Sequence, residues 1–242
     1  MDEWQKRSEK YDKLQWTYKN ELLLNILKKC EITSSSHVCD VGTGTGTLAQ
    51  FISPYCKKVD AVDISEDMLK IARLKNNKRN ICYHLMNAEN LDFKSNTFNC
   101  IVSRMCFHHV DSPLNAIKEC YRVLKSNGKI VICEAVPPPG SFNFYVRMFK
   151  LKEKRHVFIP DSLVHLLEQG GFEDIHFVFY NMPRVSIRNW LSNSGLSKQK
   201  QDTIFNIWLN SQRYVKEGHN LSVLDNDIFV DWSFLIISGL KK

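Results

Sequence analysis

Several features that would take this chain out of the ordinary globular class are missing. Its 242 residues include eight cysteines but no Cys-x-x-Cys pair. Zinc-ligand spacing and a disulfide framework are therefore not expected, and no metal is called. Cys39, Cys100 and Cys133 fall inside Val/Ile-rich segments, where a free thiol behaves as a small apolar residue. The longest apolar stretch, 233–240, is far too short to span a bilayer. The opening Met-Asp-Glu-Trp-Gln-Lys-Arg is charged with no apolar region behind it, so no signal peptide is read and a cytoplasmic protein is expected. Internal repeats and low-complexity segments are also absent.

What is present is a chain long enough for one α/β domain with a buried core, 43% hydrophobic and carrying a formal net charge of +7. A solvated basic surface accounts for that charge. The alternative is an acidic partner, either an anionic small molecule or nucleic acid. The densest basic cluster, 150–156 (Lys-Leu-Lys-Glu-Lys-Arg-His), is short and contains a glutamate. It makes a poor nucleic-acid stripe but suits the lining of a pocket.

Residues 1–30 read as helix, with Leu14, Tyr18, Leu22, Ile26 and Leu27 near i, i+4 spacing. Strands and helices then alternate, the pattern of a parallel sheet covered on both faces. Strands are expected near 37–41, 58–63, 81–86, 99–103, 129–135, 172–180 and 228–237. Helices are expected near 47–55, 65–76, 113–124 and 161–169, with Gly128 as the C-cap of the third. Pro137-Pro138-Pro139-Gly140 opens an aromatic, basic insert running to about 160, and 184–217 reads as two helices joined near 194–195. The expected fold is therefore α/β, a doubly wound, mostly parallel seven-stranded sheet in a single domain spanning 1–242. Its parts are an N-terminal helical lid (1–30), a core (37–136) and inserts forming a cap (137–160 and 182–225).

Residues 38–46 carry the sharpest signal. An apolar run ends at Asp40, glycines follow at 42, 44 and 46, and a helical pattern starts at once. A strand, a turn without side chains and a helix N-terminus let backbone N–H groups approach a ligand. The dinucleotide fingerprint would need glycine at position 47, where Thr47 stands. Asp-x-Gly-x-Gly-x-Gly instead resembles motif I of the class I S-adenosylmethionine-dependent methyltransferases. Three further segments continue the resemblance in order. Asp63 closes the second strand; Asn87-Ala88-Glu89-Asn90-Leu91-Asp92-Phe93 is similar to Asp-Ala-Glu-x-Leu-Pro-Phe; and 98–128 resembles the branch holding the ubiquinone/menaquinone C-methyltransferases and many small-molecule enzymes.

The resemblance implies an S-adenosyl-L-methionine site. Asp40 would face the cofactor's ammonium group, Asp63 would accept both ribose hydroxyls, and Ile64 and Met68 would pack the adenine. Asn87 stands where the family has an aspartate for the adenine amino group, and its amide oxygen can still accept. Gly42, Thr43, Gly44, Gly46, Ala88, Glu89, Ser103 and Arg104 complete the set, with Tyr11 in the lid. For the acceptor, His108, His109 and His156 are candidate bases, and Arg155, Glu134 and Trp190 candidate contacts. The histidine pair has a second reading as cofactor support or loop structure, and Trp16 and Trp190 a second reading as core. The expected acceptor is a small molecule, anionic if the insert's basic residues line its pocket, rather than nucleic acid. RNA or protein methylation is the alternative, but Asn/Asp-Pro-Pro-Tyr is absent after strand 4, and Cys106 does not follow a proline. A non-catalytic scaffold is the other alternative, and intact Gly42, Gly44, Gly46 and Asp63 count against it.

Overall fold

The computed structural model describes residues 8–242. Helical turns at 8–11 give way to irregular chain, and α1 (Asn20–Cys30) starts afresh. The continuous 1–30 helix expected from the spacing is thus broken at 12–19, and its first seven residues lie outside the described residues. Backbone carbonyls freed by the break are used elsewhere, as shown below. α1 buries Leu22, Leu23, Ile26 and Cys30 along one stripe, the i, i+4 pattern of an amphipathic helix.

The sheet begins with β1 (His37–Val41), β2 (Lys58–Asp63) and β3 (Ile81–Leu85). It continues through β4 (Phe98–Arg104), β5 (Leu124–Ala135), β6 (Glu173–Ser186), a short β7 (Ser222–Leu224) and β8 (Asp227–Leu240). Their order is β3-β2-β1-β4-β5-β8-β6, with β7 added to β8. β1 to β5 are parallel, whereas β8 runs antiparallel to both β5 and β6. Seven expected strands are found. β7 is an eighth, made by the two left-handed residues Asp225 and Asn226 (φ 50° and 61°), which close a two-residue hairpin onto Asp227.

Alternation along each strand splits the core between the two faces. On β5, Ile130 and Ile132 point to one apolar cluster, while Val131, Cys133 and Ala135 point to the other. α1 and α2 (Thr47–Ile52) cover one face. α4 (Pro113–Val123) and α6 (Pro160–Gln169) cover the opposite face with Ile117, Leu163 and Leu167. Between β2 and β3 lies α3 (Glu66–Lys75), capped by Ser65, whose hydroxyl accepts from Met68 N–H. The C-cap of α4 is Leu124, in extended conformation, not Gly128. The left-handed residue of that turn is Asn127 (φ 61°), and a Cβ at Gly128 would stand 2.7 Å from the Lys125 carbonyl. All eight cysteines are free.

The cap holds α5 (Phe142–Lys152), α7 (Ile187–Ser192), α8 (Lys198–Leu209) and α9 (Arg213–Gly218). The 184–217 stretch is thus three helices, with 184–186 still in β6. Aromatic packing organises it. Trp208 meets Phe144 and His219 edge-on at 4.7 and 4.9 Å, Tyr145 stacks on His219 at 5.5 Å, and Trp190 meets Trp232 at 5.1 Å. The chain order reverses between β1 and β4, which are neighbours in the sheet, so the connections leaving their C-terminal ends run in opposite directions. Such a switch point is where open α/β sheets bind ligands.

Candidate functional site

A cleft of about 250 Å³ opens at this switch point. One end is made by the turn after β1. Gly42, Gly44 and Gly46 all have positive φ (71°, 55° and 79°), a conformation that L side chains adopt rarely. A Cβ on Gly42 would lie 2.2 Å from Cys106 Sγ, whereas one on Gly44 would meet nothing within 4 Å. The first glycine lets the turn pack down, and the second leaves open space above it.

Asp63, at the end of β2, borders that space. Its Oδ2 accepts from Gly44 N–H at 2.7 Å and its Oδ1 from Ser65 N–H at 2.9 Å. Burial raises its carboxyl above the usual range, against the pull of those N–H groups. Each oxygen keeps acceptor capacity toward the cleft. Ile64 beside it is 62% exposed, an apolar side chain waiting for cover. Met68, Asn87, Ala88 and Glu89 line the same end. The Asn87 Oδ1 already accepts from Glu89 N–H at 2.9 Å, so its amide shapes the loop as well as facing the cleft.

Five expected cofactor residues, Asp40, Thr43, Gly46, Ser103 and Arg104, lie outside the lining. Asp40 is buried beneath the turn, where its Oδ2 accepts from Thr43 Oγ1 at 2.7 Å. Burial pushes its carboxyl up to about 6, opposed by Thr43 and Arg104. Gly46 caps α2. Ser103 donates to the Val41 carbonyl at 2.8 Å, tying β4 to β1. Arg104 is also buried, and its guanidinium donates to the carbonyls of Trp16 and Thr17 at 3.3 and 2.9 Å. These last two roles are structural, because each polar group is spent on backbone inside the fold.

Arg104 anchors one point of a strap formed by residues 11–17. Asp12 accepts from Thr45 Oγ1 at 2.6 Å and pairs with Lys75. Asn189 donates to the Lys13 carbonyl at 3.1 Å, and Gln15 Oε1 accepts from Ser186 N–H at 2.7 Å. The strap therefore joins the glycine turn to the cap, and its Tyr11, Leu14 and Trp16 line the cleft. Tyr11 lines the cleft from the start of this strap and not from a long helix.

The far end of the cleft is built from charged and aromatic side chains. A 3-10 turn, Phe107–His109, follows β4 and brings His108 and His109 to the lining, with ring centroids 4.1 Å apart. From the end of α5 and the loop after it come Lys152, Glu153 and Arg155. Glu153 binds both cations, Lys152 at 2.5 Å and Arg155 at 3.3 Å. Arg155 also lies 4.0 Å over the Phe149 ring, and Lys152 5.6 Å over Trp190. Glu153 bridges both cations and offsets one of their two positive charges, so the positive excess expected of the insert is reduced here. His108, His109 and Glu153 do place ligand-type atoms within 4.8 Å of one another, but the carboxylate's two oxygens already hold Lys152 and Arg155.

Two further expectations are corrected at this end. His156 is exposed outside the lining, with its Nε2 3.0 Å from the Val110 carbonyl, so it is not placed to act as a base. Its backbone N–H donates to the His108 carbonyl at 2.8 Å, which fixes the 3-10 turn. Glu134, fully buried on β5, does not line the cleft, and its Oε2 lies 2.6 Å from His108 Nδ1. Burial pushes its carboxyl up to about 7, against Arg155 and His109. Sequence reasoning missed Lys152 and Glu153 individually, although the 150–156 cluster marked their neighbourhood. Asn193 and Ser194, also at the lining, left no signal beyond a helix junction.

A methyltransferase domain model matches residues 39–132, which span the turn, Asp63 and the histidine turn. An uncharacterised protein of Methanocaldococcus jannaschii is 31% identical over 72% of this chain and 83% of its own length. The chain belongs to the class I S-adenosylmethionine-dependent methyltransferases. YcgJ of Bacillus subtilis, an uncharacterised methyltransferase, is 24% identical over 90% of this chain and 89% of that protein. Its crystal structure superposes with a TM-score of 0.84 at 20% identity, covering 92% of this chain and 99% of that one. The ubiquinone/menaquinone biosynthesis C-methyltransferase UbiE of Desulfotalea psychrophila is 25% identical over 67% and 76% of the two chains. S-adenosylmethionine is the methyl donor of this methyltransferase. The turn suits it: three left-handed glycines, clear space above Gly44 and a carboxylate with spare acceptor sites are what a ribose and an amino-acid tail require. Among the described residues no helix is long and apolar enough to cross a membrane.

Proposed function

We propose that this methyltransferase acts on a small-molecule acceptor held at the charged end of the cleft. The observation that carries the reading is the continuity of one cleft, from Gly44 and Asp63 to Lys152, Arg155 and Trp190, bordered by the strap residues Tyr11 and Trp16. An acceptor there is enclosed by side chains from four parts of the chain, which suits a metabolite better than the exposed edge of a folded RNA or protein. The relative named for quinone biosynthesis supports the same acceptor class.

In this reading Asp63 takes the ribose hydroxyls, since a carboxylate accepts two donors at once. Ile64 and Met68 cover the adenine, Asn87, Ala88 and Glu89 form its rim, and backbone at Gly42 and Gly44 passes close to the amino-acid tail. Asp40 and Thr43 brace the turn from below. The cofactor brings a methyl group on a sulfonium, so the protein's task is to align the acceptor roughly 3 Å from that carbon and to exclude water. Trp16, Trp190 and the strap serve the second purpose.

Calorimetric titration of S-adenosylmethionine and, separately, NAD tests the cofactor end. Binding of the first alone, followed by labelled-methyl transfer to a small-molecule extract, is the expected result. Transfer to RNA or protein instead would replace the acceptor class, and cofactor binding without any transfer would favour a scaffold.

A further inference from the structure

β6 ends the sheet order beyond β8, so one side of it has no neighbouring strand among the described residues. Along that side alternate main-chain N–H and C=O groups point outward without a ladder partner. Natural proteins blunt such edges with lysines, prolines or bulges. Here those devices fall at the ends. One bulge lies between Glu173 and His176, and the other, which includes Pro183, between Met182 and Val185. The stretch between them carries no Lys, Arg, Asp or Glu from Ile175 to Met182, in a chain that is 24% charged. Its apolar side chains are exposed on both faces of the sheet. Phe177 (42%) and Phe179 (54%) share one face with ring centroids 5.7 Å apart, and Val178 (37%) lies on the other. The two ends differ in charge. Glu173 and Asp174 share one cation, Lys242, at 2.7 and 3.8 Å. At the opposite end the Arg184 guanidinium lies 4.9 Å over the Phe229 ring and pairs with no carboxylate among the described residues, although Asp231 accepts from its backbone N–H.

We propose that β6 pairs edge to edge with β6 of a second copy of this chain, antiparallel and with the two-fold axis at Val178, so that the two sheets become one. The strand is its own complement in that arrangement, because His176-Phe177-Val178-Phe179-Tyr180 reads ring, Phe, Val, Phe, ring in either direction. About the axis Phe177 falls opposite Phe179 of the second copy, Val178 opposite Val178, and His176 opposite Tyr180. Residues directly opposite in an antiparallel pair project to the same face. Four Phe rings therefore meet on one face, and Val178, His176 and Tyr180 of both copies on the other. The acidic end of each strand lies beside the Arg184 end of the other copy, so the charges are complementary. The neighbouring registers are poorer. One centred on Phe179 sets Phe177 opposite Asn181, and one centred on Phe177 runs Phe179 into the bulge at 173–176. β5 and β8 separate this edge from the switch point between β1 and β4, so pairing here leaves the cofactor end of the cleft untouched.

Sedimentation velocity of the full chain at several concentrations is expected to show a species of twice the chain's mass. The double variant Phe177→Lys/Phe179→Lys sets lysine opposite lysine at exposed positions and should raise the dissociation constant about ten-fold or more. Its S-adenosylmethionine affinity, the check that it folds, should stay within about two-fold of the parent's. Arg184→Glu should weaken the dimer a few-fold, and less so in high salt. Leu74→Lys, at an exposed position of α3, should leave the mass unchanged. The register is tested in a Cys82→Ser background, which removes the exposed thiol. There Val178→Cys should form a disulfide-linked dimer on mild oxidation, because its two copies meet at the axis. Asn181→Cys should not, because its two copies stand roughly 20 Å apart. A monomer at every concentration overturns the proposal. So does a dimer that the lysine pair leaves intact, or one that Asn181→Cys links as readily as Val178→Cys. Species that keep growing with concentration also overturn it, since an isologous pair closes at two copies. If the lysine variant loses cofactor binding, the two cysteine variants decide alone. None of these readouts depends on the acceptor.

Discussion

At one end of the cleft the wall is main chain. The turn after β1 and the end of β2 present glycine Cα atoms and one carboxylate, and the N–H groups of Gly42, Gly44 and Gly46 are held by Val62, Asp63 and Thr43. At the other end the wall is side chains. Lys152, Glu153, Arg155 and Trp190 reach the cleft from the cap, and what holds them is packing around Trp208, Trp232, Tyr145 and Phe149. The first end takes its precision from the sheet. The second takes it from aromatic contacts between residues far apart in the chain. Damage to the sheet end should therefore appear as lost cofactor affinity, and damage to the cap end as lost stability and altered acceptor handling.

The largest separation is expected from Trp208→Ala. Trp208 is fully buried in the cap, and removing it should cost roughly 3–5 kcal/mol in chemical denaturation. Cofactor affinity of the folded fraction should stay within about two-fold, and a large loss would show that the two ends are not independent.

Next comes the pH response of the cap. Burial among aromatic rings lowers His219 to about 4, below its ordinary value near 6.5. The unfolded chain therefore takes up this proton first, and stability falls as pH drops from about 6.5 toward 4. The loss approaches roughly 3 kcal/mol across that window. His219→Phe should remove this part of the slope in denaturation curves at several pH values. An unchanged slope would assign the response to other groups. Glu134 and Asp40, both raised by burial, act in the opposite sense, because the folded state protonates first as pH falls.

Asp63→Ala should weaken S-adenosylmethionine binding ten-fold or more, through the loss of charge-assisted hydrogen bonds. Wild-type affinity by calorimetry would remove Asp63 from the site. Ile64→Ala gives the smallest effect, a few-fold loss in affinity from reduced apolar cover, with no measurable change in unfolding because Ile64 is largely exposed in the protein alone.

The same division decides what could be read from the chain. Gly42, Gly44, Asp63 and Ile64 belong to short segments whose spacing is the spacing of a strand and its turn, so local order announces them. The strand sequence was legible for the same reason, since alternation records burial on two faces. Lys152 and Glu153 gave only a diffuse charge signal, because their role depends on Phe149 and Trp190 being brought together by the cap. Glu134 was singled out for the wrong contact. Its position at the end of β5 pointed to the cleft, but β5 turns that side chain inward onto His108. His156 failed in the opposite direction: its neighbours line the cleft, while its own ring is directed to the Val110 carbonyl. The break in the N-terminal helix was hidden because Leu14 and Tyr18 keep helical spacing through a segment whose carbonyls are claimed by Arg104.

That claim bears on how the cleft opens. The Arg104 side chain extends from the last residue of a central strand, and its Nη1 donates to the carbonyls of residues 16 and 17. Lifting the segment strips Nη1 of both carbonyls in a place water reaches poorly, which costs more than freeing one surface contact. Six attachments hold the segment from Asp12 to Thr17 to the glycine turn, α3, the cap and β4, so opening the cleft at the strap breaks several of them. Exchange of whatever the cleft holds then follows the steep temperature dependence of a local unfolding event and not the shallow one of diffusion.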